Sequence, residues 1–428
     1  MIAEFLVNNL WVLVCGLLVF TMTIAVGFLE VGELGEALNV SLLKTVLMTC
    51  LGVVVMAIVG FNTAFAPTWN GIIGNPSYGP GLFLGGFGTS SVDPTQDIWW
   101  SMTSTGFNTG LTTGTYFLFE TAFAAVTLAL VGVVVLRKVK PAVFALYSVV
   151  YFAIIWNLPA AWIWNPSGWL AKMGMVDFAG GLVVHGAAGA AGLGILVQIW
   201  REEKAKGLRE SPQIPYRLSA GWFTLGILLL WVGWFGFNPG SVLAFNDSAM
   251  TVVLTTFLAA ATGFVSLMLV LYWVTGQDPG LLGAGNGILM GLIVITPVAG
   301  FVSPGSAIIL GLLCGPLFYV GEMLLGKAKW IADPIGLLPG HLLGGLFGLS
   351  MIAFFAQGSF AAGAGAPSLP NGLLFGGGMA AVHQLGIEAL GAAAVLVTVF
   401  ALSFVTVWIL SKFFGGITTD YRNERLIP

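Results

Sequence analysis

Two histidines stand where histidine is expensive. His185 lies in the apolar stretch MGMVDFAGGLVVHGAAGAAG, residues 173–192, and His341 closes DPIGLLPGH, residues 333–341. The two stretches share Asp-x2-Gly-x4-His, as Asp177, Gly180, His185 and Asp333, Gly336, His341. An ionisable side chain inside a membrane segment is rare and by default marks function. Two imidazoles can hydrogen-bond through their ring nitrogens, one donating and one accepting, which leaves an outer nitrogen to meet a substrate or a proton. The plainer reading is that each histidine is a satisfied interhelical hydrogen bond. A carboxylate opening each helix, Asp177 or Asp333, caps free N–H groups and complements the helix dipole. Asp177 would also lend negative potential to an outer site. His383, outside the repeated pattern, is given a structural role.

Aromatic residues supply a second chemistry. FETAFAAVT places Glu120 and Phe123 three residues apart, on one helix face. WVGWFGFNPGS carries Trp234, Phe237 and Ser241, and AWIWNPSGW carries Trp162, Trp164 and Trp169. A cation over an aromatic face gains about 0.5–2 kcal/mol. A ring of Trp164, Phe123, Ser241 and Phe237 would therefore bind a small monovalent cation at an outer mouth. Tryptophans also belt the bilayer interface without any further role, and Trp162 and Trp169 are assigned to that belt. No nucleophile–base pair, metal-ligand cluster or phosphate loop is visible, so neither an enzyme nor a cofactor is expected. Cys15, Cys50 and Cys314 lie in apolar runs, as inert thiols.

These groups need a membrane scaffold. Charged residues are 8% of the 428-residue chain, against roughly 25% in soluble domains. Hydrophobic residues are 57% and glycines number 60, a composition suited to helices packed through small residues. The net charge of −3 gives no basis for nucleic-acid binding. A spanning helix needs roughly 20 apolar residues. Eleven candidate spans follow: 6–30, 41–64, 114–136, 141–162, 176–200, 217–238, 248–274, 280–298, 304–325, 336–356 and 385–412. The first lacks a basic leader and reads as a span rather than a cleaved signal.

Fourteen of the fifteen Lys and Arg residues then fall on one side: Lys44, Arg137, Lys138, Lys140, Arg201, Lys204, Lys206, Arg209, Arg217, Lys327, Lys329, Lys412, Arg422 and Arg425. Only Lys172 falls opposite. The basic side is cytoplasmic, so the N-terminus is outside and the C-terminus inside. The outer loops, 65–113 and 357–384, are long enough to build a vestibule. Spans 1–5 and 6–10 hold five helices each, so the second half enters from the opposite face. That is an inverted 5+5 repeat with one extra helix, and its site is expected at the midplane. Eight residues along a helix is about 12 Å, so His185 and His341 should reach similar depth in a core about 30 Å thick.

The chain is similar to the ammonium transporter family (Amt/Mep/Rh), on the Amt side. The resemblance is carried by Asp177–His185, Gly233–Ser241, Leu282–Gly287 with Ile295–Gly300, and Asp333–His341. It implies a homotrimer in the cell inner membrane with one pore per subunit. It implies an outer ammonium site at Trp164, Phe123 and Ser241 supported by Asp177; Glu120, an acid expected to face the same vestibule, would hold ammonium more tightly. Phe123 and Phe237 would be a stacked gate, above a pore lined by His185, His341 and Trp234. In the family, ammonium is recruited as the cation and loses a proton before crossing.

The departures lie mostly on the cytoplasmic face. The first cytoplasmic loop carries Glu30, Glu33 and Glu36 where the family usually has Arg and Lys. Gly336 stands where an Asp is frequent, and Glu120 where Gln is frequent. The tail FGGITTDYRNERLIP lacks the acidic segment with which bacterial members cross-talk and meet PII proteins. Residues 1–412 read as the membrane domain and 413–428 as a short cytoplasmic tail. Two functions compete: an ammonium channel, and an ammonium receptor signalling through an output domain after Pro428. A PII-like regulator or such a fused signalling domain is the expected cytoplasmic partner.

Overall fold

The computed structural model describes residues 2–77, 110–135, 138–213 and 217–419. The middle of the first outer loop, Arg137, and the tail with Arg422 and Arg425 lie outside the described residues. Among the described residues, ten helices are long and apolar enough to span a membrane: α1 (Ile2–Leu34), α2 (Leu38–Phe65), α3 (Thr113–Val135), α4 (Pro141–Ile163), α5 (Gly181–Ala205), α6 (Ala220–Gly240), α7 (Asp247–Thr275), α9 (Pro304–Leu325), α10 (Leu337–Phe355) and α11 (Gly378–Phe414). An eleventh apolar helix, α8 (Gly280–Ile295), is shorter. It stops three residues before the expected end, just ahead of Pro297, which has no backbone N–H to continue the helical hydrogen bonds. Large apolar side chains such as Leu43, Leu254 and Val397 are exposed on the helix bundle, the surface a protein shows to lipid rather than to water.

The helices meet through glycine. Between α7 and α8, a Cβ at Gly291 would come 2.1 Å from the Ala259 carbonyl oxygen, and one at Gly263 would come 2.6 Å from that of Gly287. Without side chains, the two backbones pack directly against each other. α1 and α6 pack together, and a Cβ at Gly32 would meet the Phe223 backbone nitrogen at 2.3 Å.

Several local expectations change. Glu30 and Glu33 are not loop residues. They occupy the last turns of α1 and are buried, and Glu30 pairs with Lys44. α1 extends through them because the glutamates favour helix and Gly35, with φ 61°, supplies the turn. α11 begins seven residues early, so His383 lies within the helix and is exposed there. Cys50 is exposed on α2, whereas Cys15 and Cys314 are buried. Trp162 is buried rather than interfacial: its indole donates to the Ile72 carbonyl at 2.7 Å, and its ring packs edge-on against Trp169. It anchors the hairpin β1 (Thr68–Trp69) and β2 (Ile73–Gly74).

On the face rich in Lys and Arg, the end of α11 is clasped. Lys140 donates to the Phe414 and Gly416 carbonyls, both at 2.8 Å. Glu202 on α5 accepts from Ser411, Ile417 and Thr418. Nearby, Lys138 is paired with Glu203 at 3.2 Å. Burial pushes its ammonium group down while Glu203 pulls it back up.

Candidate functional site

The site is built from two equivalent turns. Asp177 accepts four backbone N–H bonds: Oδ1 from Gly180 (3.1 Å) and Gly181 (2.7 Å), Oδ2 from Leu182 (2.8 Å) and Val183 (2.9 Å). The opening N–H groups of a helix lack intrahelical acceptors, and this carboxylate, 3% exposed, supplies them all. Gly180 makes the turn with φ 105°, a left-handed conformation that glycine adopts without strain. Asp333 repeats the arrangement toward Leu337 (2.9 Å) and Leu338 (2.7 Å), with Gly336 at φ 74°. Gly336 therefore has a backbone reason for its identity. Burial pushes the Asp333 carboxyl up to about 6, against the pull of the amides it accepts from.

Each turn opens a π-helical segment, Gly181–Gly186 in α5 and Leu337–Leu342 in α10, with the histidine as its penultimate residue. Such segments are frequent at functional sites. They correct the expectation of a straight helix running eight residues from aspartate to histidine. The helix starts only after the glycine turn, so each histidine lies close to its N-terminus.

The two rings meet. His185 Nδ1 and His341 Nδ1 are 3.1 Å apart, with ring centroids at 5.1 Å. A hydrogen bond between two Nδ1 atoms needs the hydrogen on one and a lone pair on the other. His185 is 1% exposed and its Nε2 is buried without a partner, whereas His341 is half-buried.

Two glycines that sequence reading passed over make this crossing possible. A Cβ at Gly345 would lie 2.2 Å from the Gly181 carbonyl oxygen and 3.0 Å from His185 Cβ, and one at Gly189 would lie 2.5 Å from Leu342 Cβ. Each glycine follows its histidine by four residues, so the signal was present: the repeat is Asp-x2-Gly-x4-His-x3-Gly. Gly345→Val is expected to push α5 and α10 apart and lower unfolding stability by at least about 1–3 kcal/mol. Thermal unfolding in detergent would show it, and an unchanged melting temperature would mean the crossing tolerates bulk.

Aromatic rings cover the histidines. Phe123 and Phe237 lie 4.2 Å apart at 31°, and Trp164 meets Phe123 edge-on at 5.8 Å. His185 is stacked on Trp234 at 5.6 Å and on Phe237 at 6.0 Å. The Trp234 indole donates to Thr296 Oγ1 at 2.9 Å. Thr296 was legible only as the hydroxyl in ITPVAG, since a buried indole N–H needs an acceptor. The Trp164 indole donates to the Asp177 carbonyl at 2.7 Å, which ties the outermost ring to the α5 turn. Trp164, Phe123, Phe237, His185 and His341 thus form one continuous column.

Two candidates sit differently. Ser241 caps α6 and its hydroxyl donates to the Phe237 carbonyl at 2.9 Å, so it lies one turn from Phe237. Glu120 does not face an open vestibule. It is 5% exposed and bonded to Tyr116, one turn back on α3, and its Oε2 is buried without a partner. Tyr116 packs on Phe61 and Phe65 rather than on the column. Among the described residues no group of His, Cys, Asp and Glu is arranged to hold a metal.

Comparison with known proteins gives a consistent picture. The model of the Ammonium Transporter Family matches residues 10–426. An "Ammonium transporter" of Bacillus subtilis is 31% identical over 411 residues, covering 95% of this chain and 92% of that protein. "Ammonium transporter Amt1" of Archaeoglobus fulgidus is 33% identical over 396 residues, covering 91% and 90%. Among solved structures, Saccharomyces cerevisiae Mep2 superposes with a TM-score of 0.82 at 26% identity, covering 98% of this chain and 90% of that one. A structure described as "Sensor Amt Protein" superposes with a TM-score of 0.80 at 25% identity, covering 98% and 96%.

Proposed function

The chain belongs to the ammonium transporter family, and from that premise we propose a route for ammonium across it. Ammonium is taken as the cation at an outer cup of Trp164, Phe123 and Ser241, with the Asp177 carboxylate behind it. It gives up a proton to water at the outer mouth, passes between Phe123 and Phe237, and crosses as ammonia along His185, His341 and Trp234. The observation that carries this reading is the aromatic column ending on the paired imidazoles. A ring face rewards a cation, whereas carrying a charge through an apolar passage costs far more than carrying a neutral molecule. Two rings 4.2 Å apart leave no space between them, so a ring must swing for each passage.

The same reading sets the N-terminus outside, the C-terminus inside and the halves in inverted orientation, in a homotrimer of the cell inner membrane. Residues 1–412 would form the membrane unit and 413–428 a cytoplasmic tail that a PII-like partner can reach.

A second reading is a receptor that binds ammonium and passes little of it. It is favoured by the clasp of Lys140 and Glu202 on the end of α11 and by the likeness to a sensor-type structure. Proteoliposomes given an ammonium pulse, alongside a binding titration, separate the two. Saturable binding with a rise in luminal pH, as arriving ammonia takes up protons, supports the channel. Saturable binding with no luminal pH change beyond that of protein-free vesicles supports the receptor, and absence of binding sinks both. Trp164→Leu is expected to weaken binding about 2- to 30-fold, the equivalent of one cation–ring contact.

A further inference from the structure

We propose that Glu388 is a positioning residue of the outer site, acting from α11 through the strand that ends at Asp177; this rests on the outer-site reading above. Glu388 is 1% exposed. Its Oε1 accepts from the Val176 N–H at 3.2 Å and from Gln384 Nε2 at 2.7 Å. Gln384 also donates to the Gly174 carbonyl at 3.0 Å. One turn further along, a Cβ at Gly391 would sit 2.1 Å from Met175 Sδ, so this glycine opens the space that Met175 fills. Residues 384, 388 and 391 are spaced i, i+4 and i+7, one face of a helix. That face grips Gly174, Met175 and Val176 in register.

The next residue is Asp177. Its carbonyl holds the Trp164 indole and its carboxylate holds the Gly180 amide and the first three amides of α5. The Ala171 and Leu170 carbonyls take the Gly174 and Met175 amides at 3.0 and 3.1 Å, and Glu388 takes the next amide, that of Val176. Shifting Val176 shifts the acceptor of Trp164, and a ring displaced by about 1 Å no longer faces the cation as before. Glu388 Oε2 is buried without a partner among the described residues, so the residue holds the strand through one oxygen, a task that the amide oxygen of glutamine can also perform.

The test uses the purified full chain with Glu388→Ala and Glu388→Gln, reading ammonium affinity by titration and, without ligand, amide hydrogen exchange over residues 174–183. Glu388→Ala should bind ammonium about tenfold more weakly and exchange these amides at least about tenfold faster, the scale of one lost buried hydrogen bond. Glu388→Gln should restore both to within about threefold. Should Glu388→Ala not fold, Gln384→Ala, which frees Gly174, is expected to speed exchange at residues 174–176. Wild-type affinity and exchange in Glu388→Ala overturn the proposal, as does Glu388→Gln behaving like Glu388→Ala. Absence of ammonium binding by the wild type is a different failure, that of the outer site itself.

Discussion

Asp177→Ala is expected to be recovered unfolded, or folded with a collapsed melting temperature. The substitution strands four buried N–H groups at once, those of Gly180, Gly181, Leu182 and Val183. Each unsatisfied buried donor costs about 1–3 kcal/mol. Even with incomplete additivity the loss is on the order of 4 kcal/mol or more, against a typical total stability of about 5–15 kcal/mol. Asp177→Asn keeps one acceptor oxygen and so serves part of this set, and an intermediate loss is expected. Asp333→Ala should cost less than Asp177→Ala, because Asp333 is only half-buried and closes its turn through the Leu337 and Leu338 amides rather than four. Thermal denaturation in detergent, followed by size-exclusion recovery, ranks the three. An Asp177→Ala protein as stable as Asp177→Asn would show that the carboxylate is not what closes this turn. The ranking also bears on function: a residue holding a helix start, the Trp164 acceptor and a negative potential together has effects on binding that are read only in protein still folded.

What the sequence made legible is set by how locally each feature is encoded. The spans were readable because apolar runs of membrane length have no soluble alternative, while their ends moved by a few residues, as at Pro297 after α8 and at the early start of α11. The repeated aspartate, glycine and histidine pointed to two equivalent turns. The reason for glycine within them, a positive φ at Gly180 and Gly336, follows from backbone geometry and was not anticipated. Nor were the π-helical turns, since one extra residue per turn leaves no mark in hydropathy. Glu120 was misread because helix spacing gives a face but not a partner: Tyr116, four residues back, was available as a donor. Glu388 was invisible for the opposite reason, since its partner Val176 is 212 residues away. Trp162 shows the limit of composition, because a tryptophan near a span end reads as an interfacial anchor until Ile72 is known to lie beside it.

His185→Ala should leave the protein folded and the outer site occupied, yet cut ammonium flux on the order of 10- to 100-fold per folded molecule. The fold survives because His341 is half-buried, so water can take the place of the lost Nδ1. Binding survives because the cup of Trp164 and Phe123 lies on the far side of Phe237 from the imidazole pair. Flux falls because a small polar molecule passing Phe237 leaves its water behind, and a buried polar group without a partner costs about 1–3 kcal/mol, which enters the barrier directly. His185 Nε2, buried and without a hydrogen-bond partner among the described residues, is the group that the proposed route assigns to offset that cost. His341→Ala should act through the same pair, by releasing the His185 ring from its Nδ1 tether. The double variant should then be little slower than His185→Ala alone, since two groups that work as one unit lose their effect only once. Flux and ammonium affinity measured on all three variants decide it. Unchanged flux per folded molecule in His185→Ala would leave the imidazoles as an interhelical hydrogen bond, and additive losses in the double variant would mean that each ring meets the passing molecule independently.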